Sequence, residues 1–198
     1  MGIGKQAKTL TNKQIESILN HLSRSRLPQR NQVIFLLSVK AGLRAKEIAF
    51  ARWEMLLKSD GTLANSLALT NDASKGKSGR EIPLNKTLRI LLAEFLSQEQ
   101  QRKDFNAKDF IVRTQRSTRT TAQAIINMFS TWYNDLGMVG CSSHSGRRTF
   151  ISNTARKIST VGGSLRDIQA LAGHANLQTT QRYIEFDSKA QKRVVDLI

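Results

Sequence analysis

Few of the residues that staple or anchor a chain are present in this sequence. It has a single cysteine, Cys141, which excludes an intramolecular disulfide framework and a cysteine-rich zinc site. The expected compartment is therefore a reducing one, the cytoplasm. The longest purely apolar run, VIFLL at 33–37, falls far short of the about 20 residues a membrane-spanning helix needs. MGIGKQAKTL at the N-terminus carries positive charge with no apolar stretch behind it, against a secretory signal. Histidines number three and tyrosines two. No two histidines are spaced as a helical metal pair would be, so no metal site is expected. Acidic residues are scarce and scattered, which weakens a two-metal phosphoryl-transfer reading. GKS at 76–78 lacks the earlier glycine of a nucleotide-binding loop, because Asn71 stands there.

What is abundant is positive charge: thirty-one Lys and Arg against fifteen Asp and Glu, a formal +16. Such charge repels itself, and a polyanion relieves the repulsion while counterions leave the phosphates. Nucleic acid is the expected partner, although charge alone does not separate a binder from an enzyme. With 198 residues, 39% of them hydrophobic, the chain suits one domain that buries its own core.

The element pattern is mainly helical. Residues 1–10 read as a mobile arm. Thr11 and Gln14 form a capping box before Ile15, Ile18, Leu19 and Leu22. Pro28 reads as a break, and QVIFLLSVKAG as a helix ending at Gly42. LRAKEIAFARWEMLL follows, with Ile48 and Phe50 through Leu57 expected inside. SLALT and REIPL read as strands of a small antiparallel sheet joined by DASKGKSG. TLRILLAEFLSQEQ is helical, and 101–120 a loop with one extended piece. A further helix presents Ile125, Met128, Phe129, Trp132 and Leu136 on one face. Ser164 and Asp167 cap a helix that stops at Gly173. The expected class is mainly α with a small antiparallel β-sheet.

Several cationic groups and one tyrosine remain unexplained by packing. Arg44 follows a glycine cap in AGLRAKEIAFARW, Lys75 and Lys77 sit in SKGKSGREIPL, His144 and Arg147 in HSGRRTF, and His174 and Tyr183 in LAGHANLQTTQRY. These four blocks, in this order and with the tyrosine nine positions after the last histidine, resemble the catalytic domain of tyrosine recombinases, the phage integrase family. They cover roughly residues 40–190. Without that resemblance, Tyr183 reads most simply as a ring closing the last helix. Tyr133 beside Trp132 is a packing residue on either reading.

The resemblance implies a site-specific recombinase that cuts and rejoins DNA through a 3′-phosphotyrosyl link, independent of metal, ATP or any cofactor. Tyr183 is the implied nucleophile, Arg44 and Arg147 the clamp on the non-bridging oxygens, His144 the acid–base partner and His174 a donor to the phosphate. Lys75, with Lys77 as the alternative, protonates the departing 5′ oxygen. The chemistry suits these residue types. Arginine is planar, always charged and bidentate, and a phenol, with an ordinary pKa of about 10, needs a proton acceptor. Glu47, Arg80, Arg148 and Arg182 are expected to orient the site or contact DNA.

The pattern departs from the family in two details: Arg148 stands where histidine is common, and Ser143 where proline is common. A separate DNA-clamping domain usually precedes the catalytic one, whereas only some ten residues precede the first helix here. Either the chain is a catalytic-domain fragment or it is a compact member resembling the small invertases of the family. As a single domain it is expected to bind DNA more weakly and with more salt sensitivity than a two-domain relative. The expected division is an arm at 1–10, a catalytic domain at 11–187 and a tail at 188–198. The tail either docks on a neighbouring protomer or packs on its own domain. Expected partners are double-stranded DNA, further copies of the chain in a dimeric or tetrameric synapse, and accessory DNA-bending proteins. Bound to DNA, the protein would associate with the nucleoid. The alternatives are a type IB topoisomerase and a catalytically silent DNA-binding protein of the same fold. An RNA-binding module is disfavoured because the aromatic platform motifs of such modules are missing.

Overall fold

In the computed structural model, which describes residues 6–74, 79–114, 117–183 and 195–196, the capping signals become helix ends. Thr11 caps α1 (Asn12–Ser23), its hydroxyl accepting from the Gln14 N–H while the Gln14 side chain accepts from the Thr11 N–H. Pro28 does not merely break the chain. It opens α2 (Pro28–Ala41) at a position where a helix has no use for an N–H. Gly42 ends α2 with φ +68°, and the Phe150 ring lies where a Cβ would stand, so only glycine meets both demands.

α2 is buried along most of its length, from Val33 to Leu37 and at Val39, and α1, α4 and α6 pack around it. After Leu43, α3 (Ala45–Phe50) leads to a 3-10 turn at Trp53–Met55. Strands β1 (Ser66–Leu69) and β2 (Arg80–Pro83) then pair antiparallel, Ser66 opposite Pro83 and Leu69 opposite Arg80. Leu67, Leu69 and Ile82 face inward while Ala68 and Glu81 face out, the period of two expected of a half-buried sheet. The remaining elements are α4 (Lys86–Gln100), α5 (Ala122–Asp135), α6 (Ser145–Lys157), α7 (Leu165–Ala172) and α8 (Leu177–Gln181). The class is thus mainly helical with one small antiparallel sheet, as expected.

Two apolar clusters result. The larger gathers α1 to α5 and the sheet around Phe35, Ile48, Trp53 and Phe129. The smaller consists of Ile151, Ile168 and Ala172, with Phe150, Leu165 and Tyr183 packed against it. α6 borders both.

Two expectations need correction. Phe50 and Leu57 are half-buried; the Phe50 ring packs edge-on against Phe110 at 6.3 Å. The segment read as a mobile arm is tied down over residues 6–10: Lys8 N–H donates to Gly140 O at 3.1 Å and Leu10 N–H to Thr149 Oγ1 at 2.7 Å. Leu10 is itself buried, which gives this stretch an apolar anchor. The extended piece at 101–120 is a single bridge, Phe110 opposite Arg52. Around it Arg102 pairs with Glu99, Asp104 and Asp109. Most of the 188–198 tail lies outside the described residues. Among the described residues, no helix is long and apolar enough to cross a membrane.

Candidate active site

Arg44 stands where the chain leaves α2 and enters α3. Its N–H donates to Glu47 Oε2 and its Nη1 to Oε1, both at 2.8 Å. The Glu47 side chain is 0% exposed, a costly place for a charge without partners. A second partner arrives from β2: Arg80 donates Nη1 and Nη2 to Glu47 Oε1 and Oε2 at 3.0 and 3.1 Å. Burial pushes the Glu47 pKa up, but the hydrogen bond and charge of Arg80, then those of Arg44, more than offset it. The carboxyl is held below its ordinary range and stays ionised.

Arg147 projects from α6 and is almost wholly buried. Its Nη1 donates to Gly42 O at 2.5 Å and its Nη2 to Ala172 O at 2.6 Å. Those carbonyls lie at the C-terminal ends of α2 and α7, the negative poles of the two helices. Burial, followed by the charge of Arg44, lowers its pKa to about 10, so it remains a cation at neutral pH. Arg44 Nη2 reaches toward Gly173 O at 3.5 Å and Arg80 Nε donates to Leu171 O at 2.8 Å. Three guanidinium groups from separate elements thus converge on residues 171–173, with Glu47 between two of them.

That stretch then turns. Gly173 adopts φ +60°, and the chain presents His174, whose Nδ1 lies 3.0 Å from Thr180 Oγ1. Its ring stacks on Tyr183 with centroids 5.4 Å apart and planes at 22°. Burial first, then the charges of Arg147, Arg44 and Arg80, push the His174 pKa down to about 4. It is therefore a neutral imidazole. Tyr183 is half-buried just beyond α8, and its carbonyl accepts from Ser152 Oγ at 3.2 Å. A pocket of about 420 Å³ opens beside it, with His144, Arg147, Arg148 and Arg182 among its walls. His144 is exposed at the start of α6, and Arg148 Nη1 donates to Gln6 Oε1.

Arg44, Arg147, His174 and Tyr183 are thus brought together, and His144 faces the same pocket as Arg147 and Tyr183. Lys75 and Lys77 lie outside the described residues, in the link from Ser74 to Gly79 that leads directly into Arg80. Tyr133 is a core residue: it stacks on Phe129 at 6.0 Å, and burial pushes its phenol well above the usual range. Among the described residues, no cluster of His, Cys, Asp and Glu could hold a metal ion. Sequence reasoning missed Thr180, Ser152, Gln6 and the two carbonyls on Arg147. Only Asn176, whose side chain caps α8 by accepting from Thr179 N–H, left a legible signal near them.

The family model described as Phage integrase family matches residues 8–190. The chain belongs to the phage integrase family. Among its family relatives, it is 28% identical over 192 residues to tyrosine recombinase XerA of Thermococcus onnurineus, covering 94% of this chain and 62% of that protein. It is 29% identical over 171 residues to tyrosine recombinase XerC of Pseudomonas aeruginosa, covering 86% and 52% respectively. The chain thus spans less than two thirds of the length of either. A crystal structure of XerA recombinase aligns with TM-score 0.73 at 17% identity, covering 100% of this chain and 65% of that one. The Tn1549 transposon integrase in complex with a circular intermediate DNA aligns with TM-score 0.77 at 17% identity, covering 99% and 67%. At these identities the structural likeness is one of fold.

Proposed function

We propose that this phage integrase family domain is the catalytic part of a site-specific DNA recombinase, working in the cytoplasm on double-stranded DNA without metal or ATP. The phenol oxygen of Tyr183 attacks the scissile phosphorus and gives up its proton to His144. The bond to the 5′ oxygen breaks, and that oxygen leaves with a proton from Lys75 or Lys77. The 3′ end stays esterified to Tyr183 until a 5′ hydroxyl reverses the step. The ester conserves the energy of the broken diester, so rejoining needs no nucleotide. Partner strands come from a synapse of two or four copies, with DNA-bending proteins as accessories.

The observation that carries this reading is the convergence of Arg44, Arg80 and Arg147 on residues 171–173, beside the stacked His174–Tyr183 pair. One carboxylate, Glu47, is shared between two of these cations, which leaves uncompensated positive charge for the phosphate oxygens. Fixed donors such as Arg44 and Arg147 each contribute about 3–4 kcal/mol to such a barrier. Neutral His174 also fits. If Thr180 donates its hydroxyl to Nδ1, the proton of the imidazole sits on Nε2 and is free to donate.

The test is a nicked suicide substrate carrying the protein's own site, scored for a denaturation-resistant protein–DNA adduct. The unmodified chain forms it and Tyr183→Phe does not. An adduct that persists in Tyr183→Phe removes the nucleophile assignment, and none from the unmodified chain favours a silent DNA binder. Plasmid relaxation without strand exchange favours a type IB topoisomerase.

A further inference from the structure

On the strength of the proposed strand-transfer reaction, we infer that Arg80 is a positioning residue that sets the Arg44 clamp through Glu47 and bears no DNA phosphate itself. Sequence alone leaves it between orienting the site and touching DNA, and the geometry separates the two roles. The Arg80 side chain is only 7% exposed, against 24% for Arg44. Its Nη1 and Nη2 both go to Glu47 and its Nε to Leu171 O. Over it folds the Gly173 turn, so closely that a Cβ on Gly173 would come within 2.8 Å of Arg80 Nη1. The guanidinium thus lies directly against the Gly173 backbone.

The two oxygens of Glu47 divide their work evenly. Oε1 accepts from Arg44 Nη1 and Arg80 Nη1, and Oε2 from the Arg44 N–H and Arg80 Nη2. Arg80 grips the carboxylate with two parallel bonds and so fixes its plane. That plane sets the direction from which Arg44 Nη1 is held, while Arg44 Nη2 has only the 3.5 Å approach to Gly173 O. Arg80 also opens β2, next to the link bearing Lys75 and Lys77. One buried cation therefore joins the start of β2, the end of α7 and, through Glu47, the first arginine of the clamp.

The test uses single-turnover cleavage at saturating protein, together with the salt dependence of DNA binding. Arg80→Lys keeps the charge and loses the double grip. It is expected to slow cleavage about 10- to 100-fold, the scale of a displaced reacting group. DNA affinity should stay within about twofold and the salt slope unchanged, since no phosphate contact is lost. In an Arg44→Ala background the same change should add less than about twofold, because its route runs through Arg44. A salt slope shallower by about 0.9, the signature of one lost phosphate contact, overturns the inference. So does an equal rate loss in both backgrounds. Should Arg80→Lys fail to fold in a thermal melt, the neutral pair Glu47→Gln/Arg80→Met carries the same two readouts, since it removes the buried charges together. If the unmodified chain forms no adduct, the proposed reaction falls, and the salt slope still decides whether Arg80 touches phosphate.

Discussion

The two apolar clusters differ in size and in what they carry. The larger is a many-sided core built from five helices and the sheet, and it holds Arg44 and Glu47. The smaller rests on Ile151, Ile168 and Ala172, and it holds His174 and Tyr183. Arg147 is hydrogen-bonded to the carbonyl of Gly42 on one side and of Ala172 on the other. Regions with few buried contacts open at lower free energy than the main core. Stiffness thus belongs to part of the proposed phosphate clamp, and freedom to the residue proposed to approach phosphorus, hold it and let go.

The sharpest way to separate the two regions is through their tyrosines. Tyr183→Phe should abolish the covalent adduct, whereas Tyr133→Phe should leave it intact. The Tyr133 hydroxyl is buried with no hydrogen-bond partner among the described residues, so its loss should move stability by less than about 1 kcal/mol. Next in size is Arg147→Lys, which keeps a charge but cannot reach both carbonyls. Cleavage should fall by about 10²–10³, measured under single turnover.

The cores themselves supply the third contrast. Ile48→Ala and Ile168→Ala each remove comparable apolar volume, about 2–5 kcal/mol locally. Ile48→Ala should lower the global melting temperature. Ile168→Ala should speed hydrogen exchange in α7 and α8 while the amides of α2 keep their protection. Equal loss of protection in α2 would break the comparison.

Acid supplies the last contrast. The folded His174 pKa is depressed to about 4 from 6.5, so the unfolded chain binds the extra proton between these values. The stabilisation is complete above 6.5 and is lost as pH falls toward about 4. Exchange in α7 and α8 should quicken across that window, and His174→Gln should flatten the response.

Much of this was legible where a local rule has a local cause. The capping boxes Thr11/Gln14 and Ser164/Asp167 and the left-handed stops Gly42 and Gly173 are read from neighbours in sequence, and they are helix ends. Pro28 was harder, because a proline reads equally as a break and as a first helical residue. The motifs that named Arg44, His144, Arg147, His174 and Tyr183 picked residues that meet around one pocket and one turn. Their partners were illegible for a physical reason: every residue has a carbonyl, so no letter marks Gly42 or Ala172 as the anchors of Arg147. The neutrality of His174 depends on burial and on three cations from distant segments, which only the folded chain assembles.

Those carbonyl anchors have a practical consequence. Main-chain oxygens cannot be deleted by exchanging one side chain for another, so the seat of Arg147 is tolerant of almost any nearby substitution that preserves the backbone path. Its weak points are the two bends that aim the oxygens. An engineer resurfacing the domain for a new target would therefore guard Gly42 and Gly173 before any polar residue around them.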